Sequence, residues 1–88
     1  MTMAEQLIGA VTHYYGQVSV AGVQITDGPL GVGDTVHFLG HTTDFTQTVG
    51  SMQIEHATVE SAQAGDDIGM EVSERVRQRD KVYRVLSD

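Results

Sequence analysis

At 88 residues the chain has room for one domain and a thin core, since a chain this short buries only about 60–65% of its unfolded surface. It has no cysteine, which excludes disulfides and thiolate metal sites, and no apolar run nears the roughly 20 residues that span a bilayer. The net charge of −7 is laid out unevenly: no lysine or arginine precedes residue 75, while Arg75, Arg77, Arg79, Lys81 and Arg84 crowd the end of the chain.

No basic segment leads into an apolar run near the N-terminus, so the sequence reads as a soluble, cytoplasmic protein without a signal peptide. Residues 1–5 form a polar lead-in. Residues 6–13 alternate Leu7, Gly9 and Val11 with Ile8, Ala10 and Thr12, a strand covered on both faces. Residues 17–25 predict a second strand. Val18 and Val20 share one parity, whereas Val23 and Ile25 take the other, so a bulge is expected at Ala21 and Gly22. Residues 26–29 are a turn by composition, and Leu30-Gly31-Val32-Gly33-Asp34 drops into a third strand over 34–39. Asp34 is expected to bind backbone amides of its own turn.

Residues 40–45 read as a polar loop and 46–56 as a fourth strand bent at Val49-Gly50-Ser51, with a short strand at 57–60. After a second Gly/Asp turn at 61–67, Ile68, Met70 and Val72 alternate with Gly69, Glu71 and Ser73 in a period-two strand. Residues 75–79 alternate arginines with Val76, Arg79-Asp80 turns, and 81–86 closes the chain. No window of eleven residues carries an apolar stripe at helical spacing. The pattern predicts an all-β fold, a small closed barrel of six or seven strands, as one domain over 1–88 with its core at about 7–86.

Several of these segments resemble the β-barrel that forms the second domain of elongation factor Tu and related translation GTPases. Ile8-Gly9-Ala10-Val11 resembles the opening strand, and Leu30-x-Val32-Gly33-Asp34-x-Val36 the turn before the third. Val49-Gly50-Ser51-Met52-Gln53 resembles the small-residue and Met strand, and Ala62-x-Ala64-Gly65-Asp66-Asp67-Ile68-Gly69 the later turn. Arg79-Asp80-x-Val82-Tyr83 resembles the exit strand. Gly40-His41-Thr42-Thr43-Asp44-Phe45 is similar, more narrowly, to small stand-alone barrels of this superfamily and to the C-terminal barrel of collagenase-like peptidase relatives. The resemblance implies contact with RNA or partner domains. GTP hydrolysis by this chain is excluded, because it has no Gly-rich phosphate loop and no lysine before Lys81.

Four constellations carry chemistry. His13, His37, His41 and His56 offer imidazoles, but no pair has a ligand spacing on one element, so no metal is expected. Thr42-Thr43-Asp44 suits backbone-bonding turns, or a loop that docks on a partner through His41 and Phe45. No serine has a histidine at a motif spacing, so no enzyme activity and no cofactor or nucleotide are expected. On a strand, Arg75, Arg77 and Arg79 would share a face and, with Lys81, meet phosphates, unless neighbouring acidic strands neutralise them. Two functions follow as expectations: a non-catalytic module binding RNA or a ribonucleoprotein through these cations, or a protein-interaction barrel serving a separate enzyme. No membrane partner is expected.

Overall fold

The structure, a computed structural model, describes residues 3–87, and among them there are strands and turns but no helix. The strands are β1 (Met3–Tyr15), β2 (Val20–Ile25), β3 (Leu30–Gly31), β4 (Thr35–Leu39) and β5 (Asp44–Thr48). They continue with β6 (Met52–Ile54), β7 (Ala57–Val59), β8 (Ser61–Ala62), β9 (Asp67–Glu71) and β10 (Lys81–Ser87). Eight form one sheet in the order β5-β4-β10-β1-β2-β9-β6-β7, and β3 pairs with β8 in a separate ribbon. Every pairing is antiparallel.

The all-β expectation holds, with finer division than six or seven strands. Residues 3–5 of the expected lead-in already belong to β1, and Met1, Thr2 and Asp88 lie outside the described residues. The predicted strand over 46–56 is two strands, β5 and β6, separated by the bend at 49–51. β1 is the spine: its first part pairs with β10 and its second with β2. Its register shifts twice, between Leu7 and Gly9 against β10 and between Val11 and His13 against β2. Each extra residue bends and twists the strand, which curls the sheet around its buried face.

The second shift corrects the expected bulge. β2 keeps one parity throughout, burying Ala21, Val23 and Ile25, while Val18 stands exposed in the preceding turn. The irregularity lies on β1, opposite Val23 and Gly22. The enclosed core runs across the sheet through Ile8, Val11, Val23, Ile25, Val36, Phe38, Met52, Ile68, Met70 and Val82. Burial of each such side chain contributes about 1.5–3 kcal/mol, and this is the main force holding a cysteine-free fold of this size.

Among the described residues no backbone ladder joins the terminal strands β5 and β7 of the sheet, so strand pairing does not by itself close the expected barrel. One side chain spans part of the gap. Gln47 Nε2 donates to the Glu71 carbonyl and its Oε1 accepts the Ser73 amide, both at 2.8 Å. The carboxamide thus stands where a neighbouring peptide group would, linking β5 to the chain just after β9.

Three turns share one geometry, at residues 31–34, 63–66 and 77–80. In each, the first amide donates to Oδ2 of the aspartate three residues on, at 2.8 Å. The aspartate amide returns a bond to the first carbonyl, at 3.0, 3.0 and 3.1 Å. The third residue takes positive φ, +96° at Gly33, +95° at Gly65 and +78° at Arg79, as in a type II turn. The expectation for Asp34 is met, and Asp66 and Asp80 do the same work. The third copy places an arginine where the other two have glycine.

Candidate partner-binding face

The arginine row is rearranged by its backbone. Residues 72–80 leave β9 and reach β10 without forming a strand, so Arg75, Arg77 and Arg79 are not aligned by strand alternation. The anchors of this segment are Val72 and Val76, which are buried, and the turn at 77–80. Arg77 Nε donates to Thr42 Oγ1 at 2.9 Å, joining the segment to the loop after β4. The Arg79 amide donates to the Val11 carbonyl and the Val11 amide to the Asp80 carbonyl, both at 2.8 Å, which clamps the turn onto β1. Lys81 follows on β10, exposed and opposite Ala10. Arg84 is separate: its Nη1 donates to the Pro29 carbonyl at 3.0 Å.

Neutralisation by acidic neighbours, one of the two readings of this patch, is not made through direct ion pairs. Among the described residues no lysine or arginine makes an ion pair with a carboxylate. Arg75, Arg77, Arg79 and Lys81 thus stand without a contacting carboxylate among the described residues.

The loop after β4 divides its residues differently from expectation. His41 and Thr42 are exposed, whereas Thr43 is buried and the Gly40 amide donates to its carbonyl at 2.7 Å. Phe45, expected as a docking residue, is a core residue: it is 9% exposed and stacks on Phe38 with ring centroids 5.1 Å apart. It sits within β5 and opposite Phe38 in register, which turns its ring inward. Gly40 leaves space for the buried Asp80 carboxylate; a Cβ there would lie 1.9 Å from Oδ1.

One open groove adjoins the turn at 77–80, and a second lies elsewhere on the sheet. One, of about 410 Å³, runs over β1 and is lined by Leu7, Gly9, Ala10, Val11 and Thr12 with Gln78, Arg79 and Lys81 at its wall. The other, of about 470 Å³, lies over the facing glycines Gly22 and Gly69 and is edged by Tyr15, Val18, Glu55, His56 and Asp67. Glu55 and His56 form the two-residue tip between β6 and β7, both at positive φ.

Among the described residues His37 has both ring nitrogens engaged by carboxylates, which composition alone did not mark. Its Nδ1 lies 2.7 Å from Glu5 Oε2 and its Nε2 2.6 Å from Asp44 Oδ1. Carboxylates only accept, and neutral imidazole has a single N–H, so making both bonds requires the imidazolium. The Asp44 bond does most to raise the His37 pKa above 6.5; partial burial opposes it, and the bond and charge of Glu5 add to the rise. Asp44 is legible from the hairpin, sitting diagonally across β4–β5 from His37. Glu5 becomes a neighbour only through the order β1-β10-β4. The three groups clasp β1, β4 and β5, and with both nitrogens engaged the ring has no free lone pair for proton abstraction. Among the described residues no cluster of three or more ligating side chains is placed to hold a metal.

No protein-family model matches the chain. It is 40% identical over 77 residues to an uncharacterized protease of Methanocaldococcus jannaschii, a match covering 86% of this chain and 19% of that protein. It is 36% identical over 84 residues to a collagenase of Porphyromonas gingivalis, covering 94% of this chain and 23% of the collagenase. The chain thus spans about a fifth of the length of the curated relatives it matches. Among solved structures it is similar to the C-terminal domain of a Geobacillus thermoleovorans protein described as a U32 peptidase. The TM-score is 0.83 at 21% identity, over 90% of this chain and 91% of that one. A selenomethionine form of the same domain gives 0.82. At this identity the likeness shows a shared fold, and it agrees with the collagenase-like side of the resemblance read from the sequence.

Proposed function

We propose that this chain is a non-catalytic accessory domain that docks on a separate protein domain of the peptidase type. The observation that carries the reading is the asymmetry of the matches: nearly all of this chain is used, and about a fifth of each curated relative. The remainder of such a relative is the natural place for its chemistry. Support comes from the solved C-terminal domain with the same fold, and from exposed cations that, among the described residues, pair with no carboxylate. The Gln47 bridge supports reading the curled sheet as a barrel. The docking face is the end bearing His41, Arg75, Arg77, Arg79 and Lys81. Phe45 acts beneath it as packing.

Docking on RNA has less support. The regular row of arginines that would have tracked phosphates is absent, and most of the surface of a −7 protein repels a polyanion. The likeness to the translation-factor barrel rests on short strand and turn segments of the sequence, and the similar solved structures are of the U32 peptidase C-terminal domain.

The test is complementation. The Porphyromonas collagenase is produced without the segment that this chain matches, and the chain is added in trans. A one-to-one complex in sedimentation velocity, with no peptidase activity from the chain by itself, is the expected result. Peptidase activity of the isolated chain overturns the reading, as does the absence of a complex at high micromolar concentration.

A further inference from the structure

We infer that the groove over β1 binds an extended peptide segment in which an apolar side chain is followed by carboxylates. The inference deepens the accessory-domain reading by giving the chemistry of the segment received. Three observations carry it. The floor is apolar and nearly bare: Gly9 has no side chain, Ala10 a single methyl, and Leu7, 44% exposed, forms one end. Gly9 is held bare by the fold, since a Cβ would lie 2.3 Å from the Gln24 carbonyl oxygen. An aliphatic side chain laid there would cover Leu7 without displacing backbone.

The wall is cationic and unengaged. Arg79 and Lys81 are exposed beside this floor and make no ion pair among the described residues, so an incoming carboxylate breaks no existing bond. Arginine offers a planar fork to a carboxylate and lysine a mobile point charge.

The third observation is the backbone of Arg79. Its φ of +78° is a conformation that L side chains rarely adopt, and the two sister turns put glycine at this position. The hydrogen bond from its amide to the Val11 carbonyl fixes the turn against β1, so the strained residue stands at the groove wall. Retaining a guanidinium at a position built for glycine costs stability, and such outliers gather where a side chain is used.

Charge complementarity selects an acidic partner, and the apolar floor selects a peptide over a nucleic acid. A polynucleotide presents a phosphate at every residue and would have to run from two cations onto an acidic surface. A peptide brings one or two carboxylates beside an aliphatic group.

The experiment uses the chain itself, ¹⁵N-labelled, with a capped peptide of one leucine followed by two glutamates. Amide shifts at Gly9, Ala10, Val11 and Thr12 are the expected result. The Arg79→Gly variant, whose turn keeps the geometry of its sisters, and the Lys81→Gln variant should each bind about threefold more weakly, the scale of an exposed charge pair. Equal shifts with a peptide carrying lysines in place of the glutamates overturn the inference. So do undiminished binding by the double variant, the absence of shifts at millimolar peptide, or binding of oligouridylate at these amides in preference to the peptide. Because no peptidase is present, failure here leaves complementation of the truncated collagenase as a separate question.

Discussion

Replacing Arg79 with glycine should make the protein more stable. The left-handed conformation costs an L residue about 1–2 kcal/mol, and Arg79 holds it at φ +78°. Glycine relieves that cost but gives the unfolded chain extra freedom worth about 0.4–1 kcal/mol. The net expectation is a gain of about 0.5–1 kcal/mol. Lost attraction to the acidic body subtracts little at physiological salt, since no carboxylate pairs with Arg79 and the screening length is about 8 Å. For a domain of this size that gain raises the melting temperature by about 3–6 °C. The mirror change is Gly65→Ala, where φ is +95° and an added Cβ meets nothing within 4 Å, so only the backbone cost is felt. It should lose about 1 kcal/mol. Thermal and urea denaturation followed by circular dichroism measure both. An Arg79→Gly protein no more stable than wild type, or a Gly65→Ala protein without loss, refutes the equivalence of the three turns.

Gly9→Ala should be among the most damaging small substitutions, losing about 2–3 kcal/mol because its Cβ falls 2.3 Å from a backbone oxygen of β2. Gly50→Ala, with nothing within 4 Å of the new Cβ, should stay within about 0.5 kcal/mol in the same urea titration. The His37 clasp makes stability depend on pH. Its folded pKa is raised above 6.5, so its contribution is complete below about pH 6.5 and fades as pH climbs through the folded value. Wild type should lose about 1 kcal/mol between pH 5.5 and 8.5 relative to His37→Gln, an amount set by partial exposure of the partners; parallel pH profiles would remove the clasp. Phe45→Ala should cost about 3–4 kcal/mol by opening the stack on Phe38, whereas His41→Ala should leave the urea midpoint unmoved.

Residues whose behaviour is set by near neighbours were legible in the sequence. The alternation of Ile68 and Met70 gave β9 with both side chains buried, and Val72, just past its end, is buried in the same phase, because a period of two is a local property. Asp34 announced its own turn for the same reason. Misreadings arose where distant strands decide. Arg75, Val76 and Arg77 alternate like a strand, yet the turn at 77–80 is pinned to Val11, and this holds the segment away from a ladder. Phe45 sits in a polar string but faces Phe38 across the hairpin. Arg79-Asp80 was legible as a turn, but its kinship with the two Gly-Asp turns was hidden because arginine occupies the glycine position. The β1 groove was invisible for a further reason: its floor comes from one strand and its wall from residues some seventy positions later, brought together by the β1–β10 pairing.

The docking face can be mapped by hydrogen exchange on the chain, free and bound to the collagenase lacking its matching segment. Slowed exchange is expected at residues 7–12, 41–42 and 75–81, with the groove edged by Tyr15, Val18 and His56 unchanged. Protection confined to the groove edged by Tyr15, Val18 and His56, or no protection at all, would contradict it.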